Sequence, residues 1–204
     1  MKPTLSPTAA VALALSASLI TPAHAQDECA AIADDSVRLA CFDAAHNGES
    51  TYSVQSDKYG LWRVEFETSA ATGETDVFLK LDSSNDIPGM WEGDHPATLV
   101  LRCMDYTTAA YFGLTGHTMT DAQNKIEFII DYDEVWGMST LASTSHTSLG
   151  LWSDQSAIPF IELLIGHDSL IASLTPTGES PVKAEFEITG LDNAIHHLRD
   201  ACDW

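Results

Sequence analysis

The chain has 204 residues, of which 30 are acidic and 9 are basic, so its formal net charge is −21. This excess of acid excludes nucleic-acid phosphates and anionic membrane surfaces as its main binding partners. The acidic residues alternate with apolar ones and form no tail, which is typical of a solubilising surface and not of a cation store. The length suits a single domain with a proper core.

The N-terminal segment has the features of a secretory signal peptide. Lys2 is the only charged residue in 1–25, an apolar run of small residues follows at 9–20, and an Ala-His-Ala sequence ends the segment at 23–25. The run is shorter than the roughly 20 apolar residues that span a membrane. The residues before Cys29 are too polar for a lipid anchor. We therefore predict cleavage after about Ala25, export, and no stable membrane insertion.

Four cysteines follow the predicted cleavage site, and four cysteines allow three pairings. Cys29 and Cys41 bound a short helix-favouring segment with an Asp-Asp-Ser turn and N-cap signal in its middle. This pattern predicts a helical hairpin over 26–44 that its own disulfide closes. Cys103 lies in a strand-like run and Cys202 in a C-terminal helix, so a second disulfide would tie the chain end to the sheet. A zinc site is the competing interpretation, but the spacing lacks a Cys-x-x-Cys pair.

The remaining sequence predicts a polar linker at 45–58 and a β domain at 59–204. Apolar residues alternate with period two between Gly, Asn, Asp and Pro breaks, which favours antiparallel strands packed as a β-sandwich-like domain. The predicted strands are 60–68, 75–81, 97–103, 107–114, 125–131, 134–140, 169–175 and 182–189. Residues 82–86 are predicted to form a surface turn, because they begin like a calcium loop but lack its Gly and Glu.

Two further helices complete the mainly β prediction. A short internal helix is predicted at 156–166, since Ser156 can cap it, Pro159 lies early in it and Gly166 ends it. Apolar residues recur at helical spacing over 191–202, which predicts a C-terminal helix. The predicted fold is thus an antiparallel sandwich with a disulfide-closed N-terminal hairpin, one internal helix and one C-terminal helix.

The sequence contains no recognisable catalytic motif. It has no nucleophile elbow, zinc-protease motif, phosphate loop or dinucleotide fingerprint, so we predict no enzymatic activity, no catalytic residue, no cofactor and no metal. Two loops gather residue types that could line a ligand or partner surface, although their pattern favours an exposed turn in each case. They contain Trp91, Glu92, Asp94 and His95 in one case, and His167 and Asp168 in the other. Acid–base chemistry by Glu92, Asp94, His167 and Asp168 would instead make an envelope hydrolase, and a small-ligand or calcium-binding sandwich is a third hypothesis.

Several segments together form a more specific pattern, strongest toward the C-terminus. They are 29–43, 96–103, 136–140, 158–166, 170–186 and 190–204. These segments resemble the VasI family, also called the type VI secretion system-associated protein TagO. The family tends to show an Asp-Asp-Ser stretch after Trp62, which is missing from 69–76 of this chain. The resemblance implies a periplasmic accessory protein of a contractile secretion machine, with envelope components as partners and no enzymatic activity.

Overall fold

A computed structural model describes residues 29–47, 50–68, 73–89, 93–121, 125–133 and 135–204. The predicted signal peptide lies outside these ranges. Helices α1 (Asp35–Asn47), α2 (Asp154–Leu164) and α3 (Leu191–Cys202) and a short 3-10 helix (Asp57–Tyr59) accompany the strands. The strands are β1 (Thr51–Val54), β2 (Arg63–Thr68), β3 (Thr75–Ile87), β4 (His95–Met104), β5 (Thr107–Leu114), β6 (Lys125–Ile130), β7 (Val135–Ser139), β8 (Leu141–Ala142), β9 (Ser148–Leu151), β10 (Ser169–Leu174) and β11 (Val182–Glu187).

The strands form two antiparallel sheets, which confirms the mainly β prediction. The larger sheet has the order β1-β2-β3-β4-β5-β9-β8, and the smaller sheet has the order β11-β10-β6-β7. Their inner faces share one apolar core. Phe112 of β5 lies against Phe186 of β11 and Phe160 of α2, and Phe160 also contacts Phe128 of β6. Aromatic rings from both sheets and from α2 therefore meet in the same core.

The predicted strands are present, all but β5 with shifted ends, and three further strands, β1, β8 and β9, were not predicted. Part of the segment predicted as a linker, 45–58, is regular structure, because it contains the end of α1, all of β1 and the start of the 3-10 helix. β1 alternates over only four residues, too few for a clear period, but Tyr52 in it stacks on Phe66 at 4.9 Å. β9 is buried on both faces and so shows no alternation at all.

The turn predicted at 82–86 is wrong. These residues continue β3, and the pairing register with β4 shifts between Asp82 and Asp86. At this irregularity the Asn85 amide donates to Lys183 O at 2.9 Å and accepts from Glu185 N at 2.8 Å. Its side chain thus imitates a strand partner for β11. Residues 82–86, whose polar composition is typical of a turn, therefore connect β3 of the larger sheet to β11 at the edge of the smaller sheet.

Both predicted disulfides are present. Cys29 bonds to Cys41, and Cys103 of β4 bonds to Cys202 of α3, with Cα–Cα distances of 5.5 and 5.7 Å. The second bond attaches the buried face of α3 to the larger sheet. In the first arm of the predicted hairpin, residues 26–28 lie outside the described residues, and the rest is helical only at 29–30. Helix α1 forms the second arm and extends past the predicted end at residue 44.

The N-terminus of α3 requires glycine. Gly190 has φ +88°, and a Cβ on it would lie 2.5 Å from the carbonyl carbon of Tyr59. Gly60, at φ +60°, approaches the carbonyl oxygen of Thr189 from the opposite side, where a Cβ would lie at 2.4 Å. The two backbones pack directly against each other because neither residue carries a side chain.

Candidate partner-binding surface

The structure describes only part of the two loops that the sequence proposed as a ligand or partner surface. Trp91 and Glu92 lie outside the described residues. His95 begins β4 and pairs in register with Ile87 of β3. Asp168 lines a shallow cleft with Tyr132, Glu185 and Glu187, but neither Asp94 nor His95 belongs to the described lining. The described residues therefore give these two loops no shared cleft.

The loop at His167 is organised around the carboxylate of Asp131. His167 Nδ1 lies 2.8 Å from Asp131 Oδ2, while the backbone N–H groups of Asp168 and Ser169 donate to Oδ1 at 3.0 and 2.8 Å. The hydrogen bond to His167, with help from the two backbone amides, lowers the pKa of Asp131 to about 2. An acceptor engaged in this way holds a turn together, and it is poorly placed to accept a substrate proton.

A second polar cluster joins the start of α1, the 3-10 helix and α3. It consists of Asp34, Lys58, Tyr59, His196 and His197, and we call it the Asp34–His197 cluster. The Lys58 ammonium donates to Asp34 Oδ2 at 2.7 Å, and Asp34 Oδ1 accepts the backbone N–H groups of Ser36 and Val37 at the start of α1. The Lys58 hydrogen bond holds the pKa of Asp34 well below its usual range.

The buried end of the Asp34–His197 cluster is the His197 ring. Tyr59 Oη lies 2.9 Å from His197 Nε2 and 3.3 Å from Asp34 Oδ2. Burial, with a smaller contribution from the adjacent His196, lowers the pKa of His197 to about 4. Asp34, His196 and His197 each offer a ligand atom within 4.8 Å of the others. A metal ion there would have to displace Lys58 from Asp34 and Tyr59 from His197. We therefore interpret the cluster as a structural hydrogen-bond network that holds three segments of the chain together.

A groove on the outer face of the larger sheet offers different chemistry. It has a volume of about 570 Å³ and is lined by Arg102 of β4, Tyr111 of β5, Trp152 after β9 and the hydroxyl-bearing residues of 143–148. We call it the Arg102 groove. Tyr111 and Trp152 stack with ring centroids 5.1 Å apart. The Arg102 guanidinium lies 5.7 Å from the Tyr111 centroid and 5.6 Å from the Trp152 centroid.

The pairing of the strands explains why these side chains meet. Val100 of β4 lies opposite Tyr111, and Tyr111 lies opposite Gly150 of β9. A Cβ at Gly150 would come 3.1 Å from Trp152 Cζ2 and 2.5 Å from Tyr111 Cβ, so glycine leaves room for the indole on the sheet surface. Trp152 Nε1 donates to Leu141 O of β8 at 2.9 Å, which holds the ring in that place.

Arg102 has few partners among the described residues. Its buried Nε has no hydrogen-bond acceptor among the described residues, and Nη1 reaches only the Met104 sulfur at 3.6 Å. Five other basic side chains form ion pairs with carboxylates, namely Arg38, Lys58, Arg63, Lys80 and Lys125. Among the described basic side chains for which no ion pair is seen, Arg102 is the one that lines this groove, and most of its donors have no acceptor there.

An uncovered apolar edge adjoins this groove. β7 is the last strand of the smaller sheet and β8 is the last strand of the larger one. Val135 and Trp136 of β7 and Leu141 of β8 are 63%, 50% and 57% exposed. We call this set the β7–β8 edge. It is continuous with the Arg102 groove, because Ala142 lines the groove directly after Leu141. Exposed apolar side chains on an edge strand are typical of a protein interaction site.

Comparison with known proteins identifies the family. Residues 28–204 match the family described as "Type VI secretion system VasI, EvfG, VC_A0118". The chain belongs to the VasI family. The resemblance predicted from the sequence is therefore confirmed, and the family description associates the chain with type VI secretion. No curated protein matches this VasI-family sequence at a significant level.

One similar solved structure is the crystal structure of invasion associated protein B from Bartonella henselae. Its identity to this VasI-family chain is 12%, its TM-score is 0.49, and the match covers 74% of this chain and 99% of the other. So distant a likeness does not bear on function. Among the described residues, no helix combines the length and apolarity that a membrane crossing requires.

The Arg102 groove of this VasI-family chain was not predicted from its sequence. One signal was available, since Arg102 interrupts the apolar residues of β4 at a position that faces outward when the alternation is followed along the strand. Nothing local indicated that Tyr111 and Trp152 would meet it. Trp136 did contribute to the family resemblance, and the structure places it on the β7–β8 edge.

Proposed function

We propose that this chain is an exported, non-enzymatic accessory protein of a type VI secretion system. In this proposal it binds an envelope component of the machine through the Arg102 groove and the β7–β8 edge. The observation that carries the proposal is the unpaired Arg102 guanidinium, packed on two aromatic rings beside an exposed apolar edge strand. Arginine and aromatic side chains are enriched among the residues that dominate protein–protein binding energy.

Export is supported by the two disulfides, which persist in oxidising compartments such as the bacterial periplasm. The signal-like pattern at 1–25 supports the same location. A non-enzymatic role is supported by the way Asp131 and His167 are used within a turn. A hydrolase would need titratable side chains that converge in a cleft, and the cleft lined by Asp168 does not contain His167 in its described lining.

The proposal can be tested by complementing a deletion strain with single variants. Trp136→Ser and Arg102→Gln should each reduce delivery by the secretion system into target cells. Loss of a dominant contact costs at least about 2 kcal/mol of binding, which is roughly thirtyfold. A photo-crosslinking residue at position 136 should also link the periplasmic protein to a component of the secretion machine, and only in strains that carry the machine.

The matched controls belong neither to the described lining of the Arg102 groove nor to the β7–β8 edge. Leu39 of α1 is an exposed apolar residue, and Arg63 is an arginine that already pairs with Glu65. Leu39→Gln and Arg63→Gln should leave delivery unchanged, and a crosslinking residue at position 39 should give no crosslinked product with the secretion machine. Normal delivery by both Trp136→Ser and Arg102→Gln, at wild-type protein levels, would refute the proposal.

A further inference from the structure

We infer that the Arg102 groove recognises an acidic side chain on an extended segment of the partner polypeptide, next to an apolar or aromatic residue of that segment. This inference rests on the proposed function for the class of partner, and it adds the chemistry of recognition. The contacts of Arg102 supply the first argument. Among the described residues, Nη1 contacts only a thioether sulfur and the buried Nε–H has no acceptor, so the Nη end of the guanidinium keeps donors that a ligand can use.

The position of Arg102 favours a planar acceptor. Its guanidinium packs near the faces of Tyr111 and Trp152, and such packing leaves the N–H edges available for a ligand. A carboxylate matches those edges with two parallel hydrogen bonds, which are about twice as strong as neutral ones.

The remaining walls of the groove suit the rest of such a segment. The stacked rings of Tyr111 and Trp152 offer an aromatic platform for a neighbouring apolar side chain. Ser143, Ser145 and Thr147 form a chain of hydroxyl contacts, with Ser143 Oγ to Ser145 Oγ at 3.1 Å and Ser145 Oγ to Thr147 Oγ1 at 2.8 Å. Hydroxyl groups both donate and accept, so they can satisfy the main-chain amides of a bound peptide.

Two peptides that differ by one functional group test this chemistry. The probes are acetyl-Ala-Glu-Phe-Ala-amide and acetyl-Ala-Gln-Phe-Ala-amide, titrated up to about 10 mM into the full mature protein while the Trp152 indole N–H is followed by NMR. We expect a saturable shift with the glutamate peptide and at least about tenfold weaker binding of the glutamine peptide. Added salt should lower the affinity for the glutamate peptide more than the affinity for the glutamine peptide.

Variants of the protein assign the effect to Arg102. Arg102→Gln should abolish the preference for glutamate, and Arg102→Lys should retain only part of it because the fork of donors is lost. Arg102 pairs with no carboxylate among the described residues, so its removal strands no buried charge, and an unchanged melting curve checks the fold. Equal binding of the two peptides, or no saturable shift with the glutamate peptide, would overturn the inference.

A third peptide separates two sources of carboxylate, and the cellular assay separates the two proposals. If acetyl-Ala-Gln-Phe with a free C-terminus bound while the glutamate peptide did not, the side-chain form of the inference would be refuted. If no peptide bound but the crosslink at position 136 and the delivery defects persisted, the accessory function would stand without this chemistry. If the peptides bound as expected and delivery were unaffected by both Arg102→Gln and Trp136→Ser, the proposed function would fail instead.

Discussion

The buried histidine of the Asp34–His197 cluster should make the stability of this protein depend on pH. Burial lowers the pKa of His197 to about 4, against 6.5 for an exposed ring. The charged and titratable groups around it are Asp34 and Asp200, which favour its protonation, and Lys58 and His196, which oppose it. Because the folded-state pKa is the lower one, the unfolded chain binds the proton first as the pH falls. The stabilisation that depends on the neutral His197 ring is therefore complete above about pH 6.5 and is lost as the pH falls toward about 4.

The magnitude follows from the two pKa values. At about 1.4 kcal/mol per pH unit, the neutral ring accounts for at most about 3 kcal/mol of the free energy of unfolding. About 2 kcal/mol of this should disappear between about pH 7.5 and about pH 5. The contribution of Asp34 falls in a separate window, because a carboxylate with a lowered pKa loses its stabilisation only below its ordinary value of 3.8.

Urea denaturation of the wild type and of His197→Gln at a series of pH values measures this effect. The amide can still face Tyr59 but does not titrate, so the gap between the two unfolding free energies should narrow by about 2 kcal/mol from pH 7.5 to pH 5. His46 is exposed at the end of α1, and the control His46→Gln should follow the wild type at every pH. Parallel curves for the wild type and His197→Gln would refute the reasoning, because burial would then not be depressing the pKa.

Two further predictions concern the disulfide that holds α3 and the glycine that begins it. Replacing Cys103 and Cys202 together by Ala opens a loop with a sequence separation of 99, and should lower the free energy of unfolding by about 4 to 5 kcal/mol on the loop-entropy account; a loss below about 1 kcal/mol in calorimetry would contradict it. Gly190→Ala should cost at least about 3 kcal/mol because the new methyl group meets the backbone of the 3-10 helix. Gly178 has a similar φ with open space around it, so Gly178→Ala should cost only about 1 kcal/mol, and equal losses would show that the close approach is unimportant.

Local patterns in the sequence predicted most of the secondary structure. Strand β5 and helix α3 have the predicted bounds, because alternation and helical spacing report directly which side of an element is buried. The disulfide partners were also predictable, since Cys29 and Cys41 share one short segment and the remaining two cysteines then have only each other. Elements whose burial does not alternate, such as β9, left no such signal.

Long-range contacts decided the rest. Residues 82–86 look like a turn because they are polar, but they form a strand through pairing with β4 and through the hydrogen bonds of Asn85 to β11. The Arg102 groove likewise depends on strand register. The register brings Tyr111 of β5 beside Gly150 of β9, where the absence of a side chain lets the Trp152 ring stack on Tyr111. The sequence by itself determined the fold class, the disulfides and the family, because these follow from local patterning and from residue identity. Tertiary structure alone decided which side chains share a surface, because residues 102, 111 and 152 meet only once three strands pair in one register.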